Sequence, residues 1–328
     1  MDKETKVEKG MNIMDKEVSR RQFISGLGAG LITLGLTGCG IKIPGNSSSV
    51  TGSKTTPMPS ASSSIDHSKI IIAEGTDPNS LIEKGLNALG GIGQFVKKGS
   101  SVVIKPNFSV PRKPEEAATT NPQLVAAVVK QCLSAGAKEV KVVDYPFGGP
   151  NCLSNSGIKE AVEAAGGKAF NINAQSFFTE VDMGGAILKK VLFSKDVKDA
   201  DVLINMPILK HHMMTKVTLS LKNMMGLVWD RGYFHRTDLN QAIAELNAYR
   251  KPDLIILDAI KGITDRGPTG PGPIREWKQV VFGVDPVATD AYGADLFGLK
   301  PEEIGYIPAA VKLGLGEIDI QKLTVTKV

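Results

Sequence analysis

Cysteine is scarce in this 328-residue chain, which has only Cys39, Cys132 and Cys152. No CxxC pair occurs, so one chain cannot build a four-cysteine zinc site or a cysteine-ligated iron–sulfur cluster. Aromatic residues make up 5% of the chain, and no dense basic stripe with interleaved aromatics accompanies its net charge of +5, which argues against a nucleic-acid partner. Other signatures are missing too. The domain has no GxGxxG opening a helix, no GxSxG and no GK[ST] ending, which disfavours a dinucleotide enzyme, an α/β-hydrolase and a P-loop. Hydrophobic residues still make up 42% of the sequence, enough to bury a substantial core.

The N-terminal segment carries Ser19-Arg20-Arg21-Gln22-Phe23-Ile24, followed by a glycine-diluted apolar stretch over 26–38. A twin arginine before a short apolar stretch is the form of a twin-arginine export signal. The stretch is too short and glycine-rich for a membrane-spanning helix, which needs about 20 apolar residues. It ends in Leu36-Thr37-Gly38-Cys39, which resembles a bacterial lipobox. Residues 1–39 are thus expected to be a signal read through Arg20 and Arg21, with Cys39 lipidated and anchoring the protein outside the cytoplasmic membrane. The export machinery and the membrane are its expected partners. Residues 40–66 are rich in Ser, Thr, Gly and Pro and cannot bury enough apolar area to offset ordering, so they form a tether. Cys132, in an apolar helical run, is expected to be buried; a Cys132–Cys152 disulfide is the alternative that an exported protein permits.

Residues 67–328 are expected to form a single α/β domain. Strands are expected near 69–73, 101–104, 139–144, 168–172, 201–205, 252–259, 279–284 and 321–328. Helices are expected near 80–89, 122–135, 156–165, 239–249, 286–296 and 301–313. This alternation implies a mainly parallel, doubly wound sheet. Residues 179–195 break the rhythm, and Leu188–Phe193 suggests part of a small hairpin insertion.

Ligands of such sheets bind beyond the carboxyl ends of the strands. Five apolar strands here each deliver a polar group to that place: Lys105 and Asn107, Asp144, Asn205 with Lys210-His211-His212, Asp258, and Asp285. Polar residues at strand ends also arise simply because the ends reach solvent, but the joint pattern favours one site. Lys105, Lys210 and Lys222 suit a bound phosphate or carboxylate. Adjacent His211 and His212 point to opposite sides of an extended chain, which leaves one of them, His212, as a ligand or acid/base group. Asp144 and Asp258 are general-base candidates, Asp265 and Asp290 candidate ligands for a divalent metal, and Asn205 and Asn223 candidate substrate contacts. The run from Gly262 to Pro273 is a loop shaped for close approach.

The segments Ile104-Lys105-Pro106-Asn107, Thr120-Asn121-Pro122, Asp201-Val202-Leu203-Ile204-Asn205-Met206-Pro207-Ile208-Leu209-Lys210-His211-His212, Leu221-Lys222-Asn223-Met224-Met225-Gly226, Asp258 through Gly270, and Gly283-Val284-Asp285-Pro286-Val287-Ala288-Thr289-Asp290 occur in this order. Together they resemble the family known as domain of unknown function 362. The resemblance implies an α/β domain without a settled activity. Many relatives add a ferredoxin-like domain whose cluster cysteines are absent here, so electron transfer does not carry over. Two functions remain open: an enzyme acting on a small anionic substrate, with or without a metal, and a non-catalytic binding or accessory lipoprotein for a membrane redox complex.

Overall fold

A computed structural model describes residues 66–328. The expectations for the export signal, for Cys39 and for all but the last residue of the tether lie outside the described residues. The strands are β1 (Lys69–Glu74), β2 (Ser101–Pro106), β3 (Glu139–Asp144), β4 (Lys168–Asn171), β5 (Phe178–Asp182), β6 (Lys190–Ser194), β7 (Val202–Met206), β8 (Lys210–His212), β9 (Lys216–Thr218), β10 (Leu254–Ile263), β11 (Ile274–Gly283) and β12 (Thr324–Lys327). Eight of them form one sheet in the order β12-β1-β11-β10-β7-β2-β3-β4, while β5–β6 and β8–β9 are separate two-stranded hairpins. Within the large sheet only β11 runs antiparallel to its neighbours.

The central strands are buried on both faces, which is why Val102-Val103-Ile104 and Leu254-Ile255-Ile256-Leu257 are continuous apolar runs rather than alternating ones. On one face lie the helices Pro78–Ala88, Pro122–Ser134 and Ile158–Ala164, burying Leu81, Leu86, Leu124, Val128, Ile158 and Val162. On the other lie Leu239–Tyr249, Pro286–Phe297 and Tyr306–Lys312, burying Ile243, Leu246, Val287 and Ile307. Burying such a side chain is worth about 1.5–3 kcal/mol each, so the two layers hold the sheet between them. Three helices start on the same device. Asp77, Asn121 and Asp285 each accept backbone N–H groups of the first turn, and a proline follows each of them.

The doubly wound sheet and the hairpin containing residues 188–193 agree with the sequence expectation. Several details differ. The expected helix 156–165 is found as Ile158–Ala164; it starts after Gly157, whose φ of +69° separates it from a short helix, Cys152–Asn155. The expected helix 301–313 is interrupted where Ile304 turns extended and buries its side chain. Lys210–His212, expected as a loop, is one strand of the β8–β9 hairpin. The glycine- and proline-rich run after Asp258 is the turn of a long β10–β11 hairpin, because both strands continue past the end of β7. Cys132 and Cys152 are free and buried, with no disulfide between them, and burial pushes their thiols up to about 12 and about 11.

Candidate functional site

The chain passes from β2 outward to β3 and β4, then returns to place β7 on the other side of β2. The crossover after β2 covers one face and the crossover after β7 covers the other, so the loops leaving these two strands diverge. A crevice opens at such a switch point. A cavity of about 270 Å³ lies there, lined by Asn107, Ser109, Phe147, Lys210, His212 and Thr218, together with Lys222, Met225, Arg231, His235 and others.

Its floor is a closed polar network centred on Asn223, at the end of the short helix Ser220–Asn223. The Asn223 Oδ1 accepts from Lys105 Nζ at 3.0 Å and from Asn107 Nδ2 at 3.0 Å, and its Nδ2 donates to Asn205 Oδ1 at 2.8 Å. Asn205 Nδ2 in turn donates to the carbonyl and the hydroxyl of Ser220. Lys105 Nζ lies 2.9 Å from Asp144 Oδ1, and both side chains are essentially inaccessible. The second Asp144 oxygen accepts from Phe108 N at 3.1 Å and Ser109 Oγ at 3.3 Å. Burial holds the Lys105 pKa below its ordinary value, and the Asp144 carboxylate opposes that shift without cancelling it. Pairing of this kind offsets much of the cost of burying a charge.

Above this floor the charge is one-sided. Lys210 Nζ, buried, donates to Ala118 O at 2.6 Å, Pro268 O at 3.1 Å and Asn107 Oδ1 at 3.2 Å. Those three acceptors match the three N–H bonds of an ammonium and oppose burial and the Lys222 charge, which draw its pKa down to about 7. Among the described residues Lys222 has no oxygen partner, and its Nζ meets only the Met225 thioether at 3.8 Å. Burial, then the charges of Arg231 and Lys105, lower it to about 8. Arg231 donates to Tyr145 O at 2.7 Å, and its guanidinium sits 4.3 Å from the Tyr145 ring centroid. Among the described residues none that lines this cavity carries a carboxylate.

Lys210 and His212 are two residues apart on β8, so both face the cavity, while His211 turns away and accepts the Gly267 N–H. His212 Nδ1 accepts from Met214 N at 3.2 Å and Thr215 N at 3.4 Å. Burial and the two lysines hold its pKa down at about 2, so the ring is neutral and its proton sits on Nε2. Thr218, opposite Lys210 in the hairpin, also lines the cavity, and its buried hydroxyl has no partner among the described residues.

Of the residues expected at one site, Lys105, Asn107, Asp144, Asn205, Lys210, His212, Lys222 and Asn223 come together. Four do not. Asp285 lies at the other edge of the sheet, because antiparallel β11 ends where β10 begins; it caps the helix Pro286–Phe297 and accepts Glu317 N–H. Asp258 lies within β10, and its two oxygens accept Asn121 N–H and Ile260 N–H; burial raises its pKa to about 6. Asp290 is buried, with burial holding its pKa well above the usual range, and receives Ser220 N–H and Leu221 N–H. Asp265 is exposed and bonds the next backbone N–H. Asp265 and Asp290 therefore do not form a metal pair, and among the described residues no group of three or more His, Cys, Asp or Glu is placed to hold a metal. Residues missed in the sequence are Thr218, Arg231 and His235. The last two are four apart on the helix Arg231–Arg236, a spacing that puts them on one face and was readable.

Comparison with known proteins adds three findings. Residues 102–295, which contain the whole floor and every cation of the cavity, match the family described as domain of unknown function (DUF362). A thylakoid-associated protein of Synechocystis sp. is 31% identical over 70% of this chain and 73% of its own length. The lactate racemase apoprotein of Thermoanaerobacterium thermosaccharolyticum is similar over 68% of this chain and 55% of that one, with 12% identity and a TM-score of 0.44. The family match covers more than half of this chain and the Synechocystis sequence aligns with most of it: the chain belongs to the DUF362 family.

Proposed function

We propose that this domain binds a small anion, a phosphate or carboxylate, in the cavity over the ends of β2, β3 and β7. The observation that carries the reading is Lys222: an ammonium facing the cavity without an oxygen acceptor, beside Lys210 and Arg231, in a lining without a carboxylate. An anion there relieves like-charge repulsion that the ligand-free fold has to bear. The Thr218 hydroxyl and the His212 Nε2–H are donors left free for it. His212, neutral and with its Nδ1 taken by two backbone N–H groups, serves a bound anion as a hydrogen-bond donor and not as a proton acceptor, while Asp144 is committed to Lys105 and Asp258 to two backbone N–H groups. The test is thermal melting with inorganic phosphate and a panel of small carboxylates. Wild type should be stabilised and a Lys222→Met variant should not; if no anion stabilises the wild type, the anion reading is wrong.

We also propose that the domain is exported and held at a membrane through lipidated Cys39. The twin arginine, apolar stretch and lipobox-like segment in succession support this, as does the description of the Synechocystis relative as thylakoid-associated. Cys39→Ala should release the protein from the membrane fraction, and retention of that variant would count against it.

A further inference from the structure

The cavity is cationic inside and apolar at its mouth. Among the described residues eight large hydrophobic side chains are exposed, and three of them line this one cavity: Phe147 at 51%, Met213 at 79% and Met214 at 60%. Scattered singly, such residues need no explanation; gathered at the entrance of a charged site they mark what passes through it. Their backbone is fixed. Met213 N donates to Gly267 O, Met214 N to His212 Nδ1, and Phe147 N to Ser109 O. The two methionine side chains are flexible and polarisable, suited to a chain of no fixed shape. Met225 continues the apolar surface inward to the Lys222 ammonium.

We propose, resting on the anion reading above, that the ligand is an anionic amphiphile, with one phosphate or carboxylate headgroup and an extended apolar tail. The headgroup sits among Lys210, Lys222 and Arg231, and the tail leaves past Met225 over Met213, Met214 and Phe147. A volume of about 270 Å³ is at the small end of ligand pockets, so it takes the headgroup and the first carbons and leaves the rest on the rim.

The experiment is calorimetric titration of the full chain with inorganic phosphate, then ethyl, butyl and hexyl phosphate, and the matching carboxylates, all below their aggregation concentrations. Each methylene reaching the apolar wall should tighten binding about fourfold, so butyl phosphate should bind more than tenfold better than ethyl phosphate. The double variant Met213→Ser, Met214→Ser should reduce the ratio of hexyl to ethyl affinity several-fold. Equal affinity along the wild-type series overturns the amphiphile and leaves the small-anion reading standing. Absence of binding by every anion overturns both. Binding only to vesicles of anionic lipid, without binding of the monomeric compounds, also overturns it, because the apolar residues then serve a membrane surface.

Discussion

Replacing Lys222 by methionine should make the ligand-free protein more stable. Methionine has a similar reach and can take the apolar part of the side chain's place against Met225. The ordinary lysine value of 10.5 falls to about 8 in the fold, chiefly through burial and then through Arg231 and Lys105. A displacement of that size corresponds to about 3 kcal/mol, and water entering at the cavity mouth reduces it to about 2 kcal/mol. The sign follows from proton counting. Below pH 8 both folded and unfolded chains carry the charge and the folded one bears its full cost. Between about 8 and 10.5 the folded group gives up its proton and the cost declines to nothing. The gain from Lys222→Met should therefore be about 2 kcal/mol at pH 7, a rise of several degrees in Tm, and should fade toward pH 10.5. Urea denaturation of both proteins at pH 7 and pH 10, in a buffer without phosphate or carboxylate, measures it. A variant less stable than wild type by more than 1 kcal/mol at pH 7, or a gain independent of pH, would refute the charge argument.

Other substitutions probe the floor and the frame. Asp144→Asn leaves Lys105 buried without its counter-ion and should cost about 3–5 kcal/mol in urea denaturation, whereas Asn223→Ala, which removes the shared amide, should lower both stability and phosphate affinity. Gly226→Ala places a methyl group against Asp144 Oδ1 and the Lys105 side chain, so it should destabilise the protein by about 1–3 kcal/mol in the same assay. Asp258, raised from 3.8 to about 6, holds a proton in the folded state that the unfolded chain has already lost. Its contribution therefore weakens the fold as pH rises from 4 to 7, and an Asp258→Asn variant should gain about 2 kcal/mol relative to wild type across that interval. Alkylation of Cys132 and Cys152 should be undetectable under native conditions and complete in denaturant, as follows from their burial.

The strands that build the site were legible because burial on both faces forces uninterrupted apolar runs, and each run ends where the first polar residue appears. Lys105, Asp144 and Asn205 were found in that way. The same rule misplaced Asp285, since an apolar run carries no record of its direction: β11 reads like its parallel neighbours but ends at the opposite edge. Asp258 was misplaced because β10 keeps an antiparallel partner beyond β7, so the first polar residue is not the last residue of the strand. The β8–β9 hairpin escaped notice because three-residue strands are too short to show alternation. Thr218 went with it, although Lys210 and Thr218 stand directly opposite each other across that hairpin.

One wall of the cavity belongs to the turn between β10 and β11. Its Pro268 carbonyl holds Lys210, its Gly267 carbonyl holds the Met213 backbone, and Arg112 clasps it through Thr269 O and Gly270 O. Because the hairpin overhangs the sheet, residues 264–273 can be lengthened, shortened or exchanged while the eight-stranded register stays as it is. The enclosure of the ligand is thereby separated from the cohesion of the fold. Exchanging this turn would change the wall and one acceptor of Lys210 while leaving Lys222 and the Asn223 network in place.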